Sequence, residues 1–265
     1  MNIGLSSGAF PANMTIPQSL RLAKRSGFDC VELDISEAGY LTPGSDPKAV
    51  LFLRRAVENM SLYVGCVRAD VLSNGFVDAY DDILERCVEI CAELGSTRLA
   101  VPLSTVGDIK SAESRLTDAL RNVCDQAVRL DVSIALECGP GGLLPSPMMA
   151  RLYIDRIACD VVGACIDTSD TLAGGTPQEW IRTLGNCVKM VHARDHRRLP
   201  DGQVEPANLL EGDVEWKEVR KALVDIGYNA AVIAREPGYR QYVDLGIKHC
   251  GDKMKRIFGS AGAGE

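Results

Sequence analysis

The 265-residue sequence lacks a basic excess: 36 acidic against 29 basic residues leave a net charge of −7. Phosphate neutralisation needs clustered Lys and Arg, so a nucleic-acid surface is excluded. Also missing is any apolar run approaching the ~20 residues of a membrane span. The first residues, MNIGLSSGAFPANM, have neither the basic start nor the apolar stretch of a secretory signal, so the expected location is the cytoplasm. Ten cysteines are present, but no CxxC pair occurs. They sit in apolar periodic segments and are expected to be buried free thiols in a reducing compartment. No GxGxxG follows the first strand-like run, and no Lys-Ser/Thr follows the GPGG at 139–142, so the dinucleotide fingerprint and the phosphate loop are both absent.

What is present is an alternation of short apolar runs and longer amphipathic ones. Apolar residues make up 46% and charged residues 25%, enough to bury one sizeable core. Strands are expected at Ile3–Ser7, Cys30–Asp34, Leu62–Val67, Arg98–Val101, Val132–Glu137, Val162–Asp167, Val188–His192 and Ala230–Glu236. Helical periodicity lies between them, as in Tyr80–Leu94, where Ile83, Leu84, Cys87, Val88, Cys91 and Leu94 share a face and Gly95 closes the run. Ala193–Gly212 reads as a long polar loop. Eight strand–helix units without a linker predict a (β/α)8 barrel over residues 1–258, an α/β TIM barrel in one domain. Residues 259–265, GSAGAGE, carry no burial signal and read as a flexible tail.

Four of the expected strands end in a metal-capable side chain: Glu137, Asp167, His192 and Glu236. Active sites of parallel barrels lie at the carboxyl ends of the strands, so these four are expected to converge. Alternation places Ala135 with Glu137, Met190 with His192 and Ala234 with Glu236, leaving Ile134, Leu136, Val191 and Ile233 to face the helices. Arg235 breaks that outward pattern. Solvation or an ion pair accounts for any one of these acids, but not for all four at equivalent positions. Three carboxylates and an imidazole suit Mn²⁺ first, then Mg²⁺ or Co²⁺, better than a structural zinc.

The segments GLSSGAF at 4–10, GFDCVEL at 27–33, ALEC at 135–138, CIDTSD at 165–170, VHARD at 191–195 and EGDVEWKEVRKAL at 211–223 carry a resemblance. Over nearly its whole length the chain resembles the xylose-isomerase-like barrels of the sugar phosphate isomerase/epimerase group. The resemblance implies one divalent metal on Glu137, Asp167, His192 and Glu236, with Glu137 and Glu236 as an acid/base pair acting through an enediolate. The implied substrate is a small sugar, sugar phosphate or polyol ketone, with no nucleic-acid or membrane partner. The apolar helix exteriors would permit a homo-oligomer.

One departure matters: where ketose epimerases of the group carry DTxH, this chain has DTSD, with Asp170 in place of the histidine. An ionised acid cannot donate to a sugar hydroxyl. That keeps open a dehydratase or lyase acting on an inosose- or dehydroshikimate-type substrate, and a non-catalytic sugar-binding subunit. Arg198, Glu32 and Arg68 are further candidates for substrate contact. Asp195 and His196 are candidate partners of the metal ligand, and His249 reads as structural. A DNA-repair member of the same superfamily would need several more histidines than the three present.

Overall fold

Each parallel strand of this chain is followed by a helix that lays an apolar stripe back onto the sheet, and the sheet closes on itself. The computed structural model describes residues 1–73, 75, 79–103, 109–139, 142–173, 175–200, 203–236, 239 and 241–259. The strands are β1 (Ile3–Ser6), β2 (Cys30–Asp34), β3 (Tyr63–Arg68), β4 (Arg98–Val101), β5 (Ser133–Cys138), β6 (Val162–Asp167), β7 (Val188–Ala193) and β10 (Val232–Ala234), with a separate antiparallel hairpin β8 (Asp195–Arg198) and β9 (Val204–Ala207). The helices are α1 (Ile16–Arg25), α2 (Pro47–Asn59), α3 (Tyr80–Glu93), α4 (Ile109–Arg129), α5 (Pro147–Ile157), α6 (Pro177–Leu184), α7 (Trp216–Asp225) and α8 (Val243–Phe258). β1 to β7 and β10 form a closed parallel barrel in sequence order, with β10 hydrogen-bonded between β7 and β1.

The expected barrel is therefore observed, and the strand ends agree to within two residues. Helix starts follow local chemistry. Asp46 caps α2 by accepting from the Lys48 N–H, and Thr176 forms a capping box with Glu179 at α6. Gly27 and Gly95, just past α1 and α3, adopt φ of +85° and +74°, the left-handed turn that ends a helix without a Cβ penalty. The Ala193–Gly212 segment, expected to be a loop, contains the hairpin β8–β9. Of the expected tail, residues 260–265 lie outside the described residues, as do Pro140 and Gly141 of the GPGG run.

The strands divide their side chains between two cores. Outward residues such as Leu99, Val101, Ile134, Leu136, Ile166, Val191 and Val232 join the helices in the main core. Inward residues Cys30, Cys66, Ala100, Ala135, Cys165, Met190 and Ile233 fill the barrel as a second, small-residue core. Ile233 thus faces inward, not toward the helices as expected, and Gly4 opposite makes room for it: a Cβ there would overlap Ile233 Cδ1 and the Cys30 thiol. Cys124 and Cys159 form a disulfide between α4 and the turn after α5, which corrects the expectation that every cysteine is free. The other eight cysteines are free thiols, seven of them buried. Among the described residues no helix is long and apolar enough to cross a membrane.

Candidate active site

The inward positions one step beyond the small-residue core, at the carboxyl ends of the strands, are polar: Ser6, Glu32, Arg68, Glu137, Asp167, His192 and, just past β10, Arg235. Arg235 keeps strand geometry, donating its backbone N–H to the Ala193 carbonyl at 3.1 Å. With Ile233 inside, strict alternation sends Arg235 inward and Glu236 to the other face. Glu236 accepts from the Leu209 N–H at 2.7 Å and from Lys253 Nζ, on α8, at 3.4 Å. The expected fourth strand-tip ligand is therefore displaced by one residue, and a guanidinium stands in the inward place.

The other three expected ligands are each engaged. Glu137 accepts two bonds from Arg68, Nε at 2.6 Å and Nη2 at 3.1 Å, and Arg235 Nη1 lies 3.7 Å from it. Asp167 accepts the backbone N–H groups of Ser169 and Asp170 at 3.0 and 3.3 Å, and faces Arg194 Nη1 at 3.2 Å. His192 is wholly buried; its Nε2 lies 2.6 Å from Glu32 Oε2, and its Nδ1 lies 3.5 Å from the Cys165 thiol.

Glu32 is itself wholly buried and accepts from Ser6 Oγ at 2.8 Å, with Arg235 Nε 3.8 Å away. Burial pushes its carboxyl upward, but His192, Arg235 and the Ser6 hydroxyl outweigh burial and hold it down to about 2. Arg68 also pairs with Asp70. Burial works against the Arg68 charge, but the Glu137 carboxylate prevails and keeps the guanidinium firmly protonated.

Arg68, Glu137, Asp167, Asp170 and Arg235 border one cleft of about 320 Å³, which Cys138, Pro102 and Leu103 also line. Asp170 faces it, half open to solvent; burial of the other half and the Asp167 carboxylate raise its carboxyl above the usual range. A second space of about 320 Å³, bordered by Ser6, Arg194, Pro206, Arg235 and Glu236, lies beside it. A third, of about 220 Å³, is apolar and lies under the loops after β1 and β2, with Asp34 and Ser7 at its edge.

Of the expected site residues, the structure brings Glu137, Asp167, Asp170 and Arg68 around the main cleft. It seats Glu32 and His192 together below solvent reach, and it leaves Glu236 at the border of the second space, bonded to Leu209 and to Lys253 of α8. Arg198 is exposed and donates to the Leu172 carbonyl, while its backbone N–H donates to Asp213 at 2.5 Å. His249, in the last helix, bonds the Tyr239 hydroxyl from the segment before it, as a structural residue would. Among the described residues no group of three or more His, Cys, Asp or Glu side chains lies together as a metal site requires. The donor set does not fit a divalent ion: Glu236 lies outside the main cleft, bonded to Leu209 and Lys253, the imidazole Nε2 is taken by Glu32, and the other two acids already face guanidinium groups.

Two residues the sequence reading did not assign to the site line these spaces. Arg194 and Arg235 are inward side chains at the ends of β7 and β10, and counting alternation from the correct face of Ile233 would have found Arg235. Asp195, expected near the metal, is instead a buried knot. Its two oxygens accept from the backbone N–H groups of His196, Leu210, Gly212 and Val214 and from Trp216 Nε1. His196 is only half-buried beside it.

The sequence profile of the family described as xylose isomerase-like TIM barrel matches residues 20–250. No curated protein matches the chain in sequence. Several solved structures share the fold. An L-ribulose 3-epimerase superposes with a TM-score of 0.79 at 18% identity, over 98% of this chain and 96% of that one. A D-psicose 3-epimerase solved with D-fructose gives 0.77 at 15% identity, over 98% and 100%. The IolI protein with a bound zinc atom gives 0.75 at 18% identity, over 97% and 96%.

Proposed function

Because the chain belongs to the xylose isomerase-like TIM barrel family, we propose that its cleft acts on a small carbohydrate-like substrate, as an enzyme of the sugar isomerase or epimerase kind. The observation that carries this reading is the set Arg68, Glu137, Asp167, Asp170 and Arg235 around one cleft at the carboxyl ends of the strands. Two of its structural neighbours are ketose epimerases, which supports the same substrate class. Carboxylates and guanidiniums in alternation match a polyhydroxylated ketone, whose hydroxyls donate to the acids and whose carbonyl accepts from the arginines.

The chemistry is a proton transfer next to a carbonyl. Glu137 takes the proton from the carbon α to the carbonyl; the C–H pair becomes the enediolate double bond and the carbonyl oxygen gains the negative charge. Guanidinium N–H groups at the cleft hold that oxygen. Return of the proton to the former carbonyl carbon, with the hydroxyl proton of the first carbon passing to the other oxygen, isomerises the substrate, and return to the opposite face of the same carbon epimerises it. Asp170 faces the cleft with its carboxyl raised above the usual range and is the second group able to carry a proton. When the sugar bears a phosphate, the neighbouring space with Arg194 has the charge to receive it.

Asp170 also favours a second reading, in which the enediolate expels a β-hydroxyl that leaves as water with the Asp170 proton. Mass spectrometry of the product separates the two, since dehydration lowers the mass and epimerisation does not. The test of the main reading is incubation with a panel of ketoses and ketose phosphates in deuterium oxide. One deuterium at the carbon next to the carbonyl is expected from wild type, with a rate about 10²–10⁴-fold lower in Glu137→Gln. No exchange into any member, or full exchange by Glu137→Gln, would overturn it.

A further inference from the structure

We propose, resting for the substrate on the function given above, that this barrel takes no divalent ion at its carboxyl end and that Arg235, with Arg68, presents the positive charge to the substrate's carbonyl oxygen instead. The inward place at the tip of β10 belongs to Arg235, by register and by the inward Ile233 two residues before it. Its guanidinium lies between two acids, 3.8 Å from Glu32 and 3.7 Å from Glu137. Each inward carboxylate thus already has a cationic neighbour: Glu32 has Arg235, Glu137 has Arg68 and Arg235, and Asp167 has Arg194. A divalent ion placed among them would face three guanidiniums that cannot lose their protons.

The imidazole is equally committed. His192 Nε2 is 2.6 Å from Glu32 in a space with no solvent access, and its other nitrogen faces the Cys165 thiol. Coordination would require breaking that pair and leaving a buried carboxylate without its partner. Glu236, the acid next in sequence, cannot substitute for Arg235 without turning the strand over, because Leu209 and Lys253 hold it on the α8 side. A guanidinium offers what the chemistry needs at this place, fixed N–H donors and a permanent charge aimed at a developing oxyanion.

Two measurements on the full chain test the proposal, and the first needs no substrate. Protein stripped with EDTA and desalted is dialysed against Mn²⁺ or Zn²⁺, and retained metal is read by elemental analysis. Wild type is expected to retain no stoichiometric ion. One ion per chain that disappears in Asp167→Asn and in Glu137→Gln would overturn the proposal, whereas an ion retained by both variants lies outside the cleft and agrees with it. The second titrates glycolohydroxamate, an enediolate mimic, by calorimetry in EDTA. Binding by wild type is expected, weakened about 10- to 100-fold in Arg235→Gln and partly restored in Arg235→Lys. Binding only after metal is added, or equal binding by Arg235→Gln, would overturn it. A protein that takes no metal and binds the mimic but exchanges no ketose proton would leave this inference standing and sink the proposed function.

Discussion

Glu32 and His192 are the pair on which the interior of the site rests. Both are without solvent exposure, and they meet each other at 2.6 Å, with Ser6 and Arg235 on the far side of the carboxylate and the Cys165 thiol at the other imidazole nitrogen. Glu32→Gln replaces an anion that accepts by an amide facing two cationic or N–H groups, and a cost of about 3–5 kcal/mol in chemical denaturation is expected; a loss below about 1 kcal/mol would show that the pair is not what orders the barrel mouth. The pH dependence has a definite sign. The carboxyl is held at about 2 in the folded protein, below its ordinary 4.5. Its stabilising contribution is therefore complete above about pH 4.5 and is lost as pH falls toward 2. Urea midpoints measured across that window should fall with acidification in wild type and fall less in Glu32→Gln. At this scale the sequence was partly legible. Glu32, Arg68, Glu137, Asp167 and Asp170 were identifiable as polar residues at strand tips. The pairing of Glu32 with His192 was not, because it joins residues 160 apart across the barrel and no local spacing encodes it.

At the scale of elements, the decisive event is the phase of one short strand. β10 has three residues, so its alternation is fixed by too few positions to read from hydrophobicity: Val232, Ile233 and Ala234 are all apolar. Packing chooses the phase, because Ile233 fits the space left by Gly4, and that choice turns Arg235 in and Glu236 out. The EGDVEW segment was similarly visible, but its structural role was not. Its glycine and tryptophan serve Asp195, whose carboxylate ties β8 to the start of α7 through five N–H donors, and a Cβ at Gly212 would overlap the same carboxylate. Asp195→Ala leaves buried donors unpaired and is expected to cost about 3 kcal/mol or more in thermal unfolding; an unchanged midpoint would contradict that structural role. The disulfide acts between elements too. Cys124 and Cys159 are 35 residues apart, and reduction should cost about 3–4 kcal/mol by chain entropy. Denaturation with and without reductant measures it, with Cys124→Ser insensitive to the reductant. The absence of a CxxC spacing gave no hint of it, since the bridge is set by the packing of α4 on α5.

Over the whole molecule, the barrel was the most legible feature because it is written many times. Eight apolar runs, each followed by a helical period, leave little choice of architecture. What the repetition could not convey is the balance of charge at the mouth, where three arginines, from β3 and from just past β7 and β10, face carboxylates from β2, β5 and β6. In our proposal that balance takes the place of the four-ligand arrangement its strand tips suggested. The most direct measurement is the rate of deuterium incorporation into a responsive ketose by wild-type protein, first in excess EDTA and then with Mn²⁺ supplied. The expected result is the same rate in both, falling in Arg235→Gln and in Glu137→Gln. Exchange that starts only when the metal is added, or that survives Arg235→Gln unchanged, would contradict a guanidinium-based site.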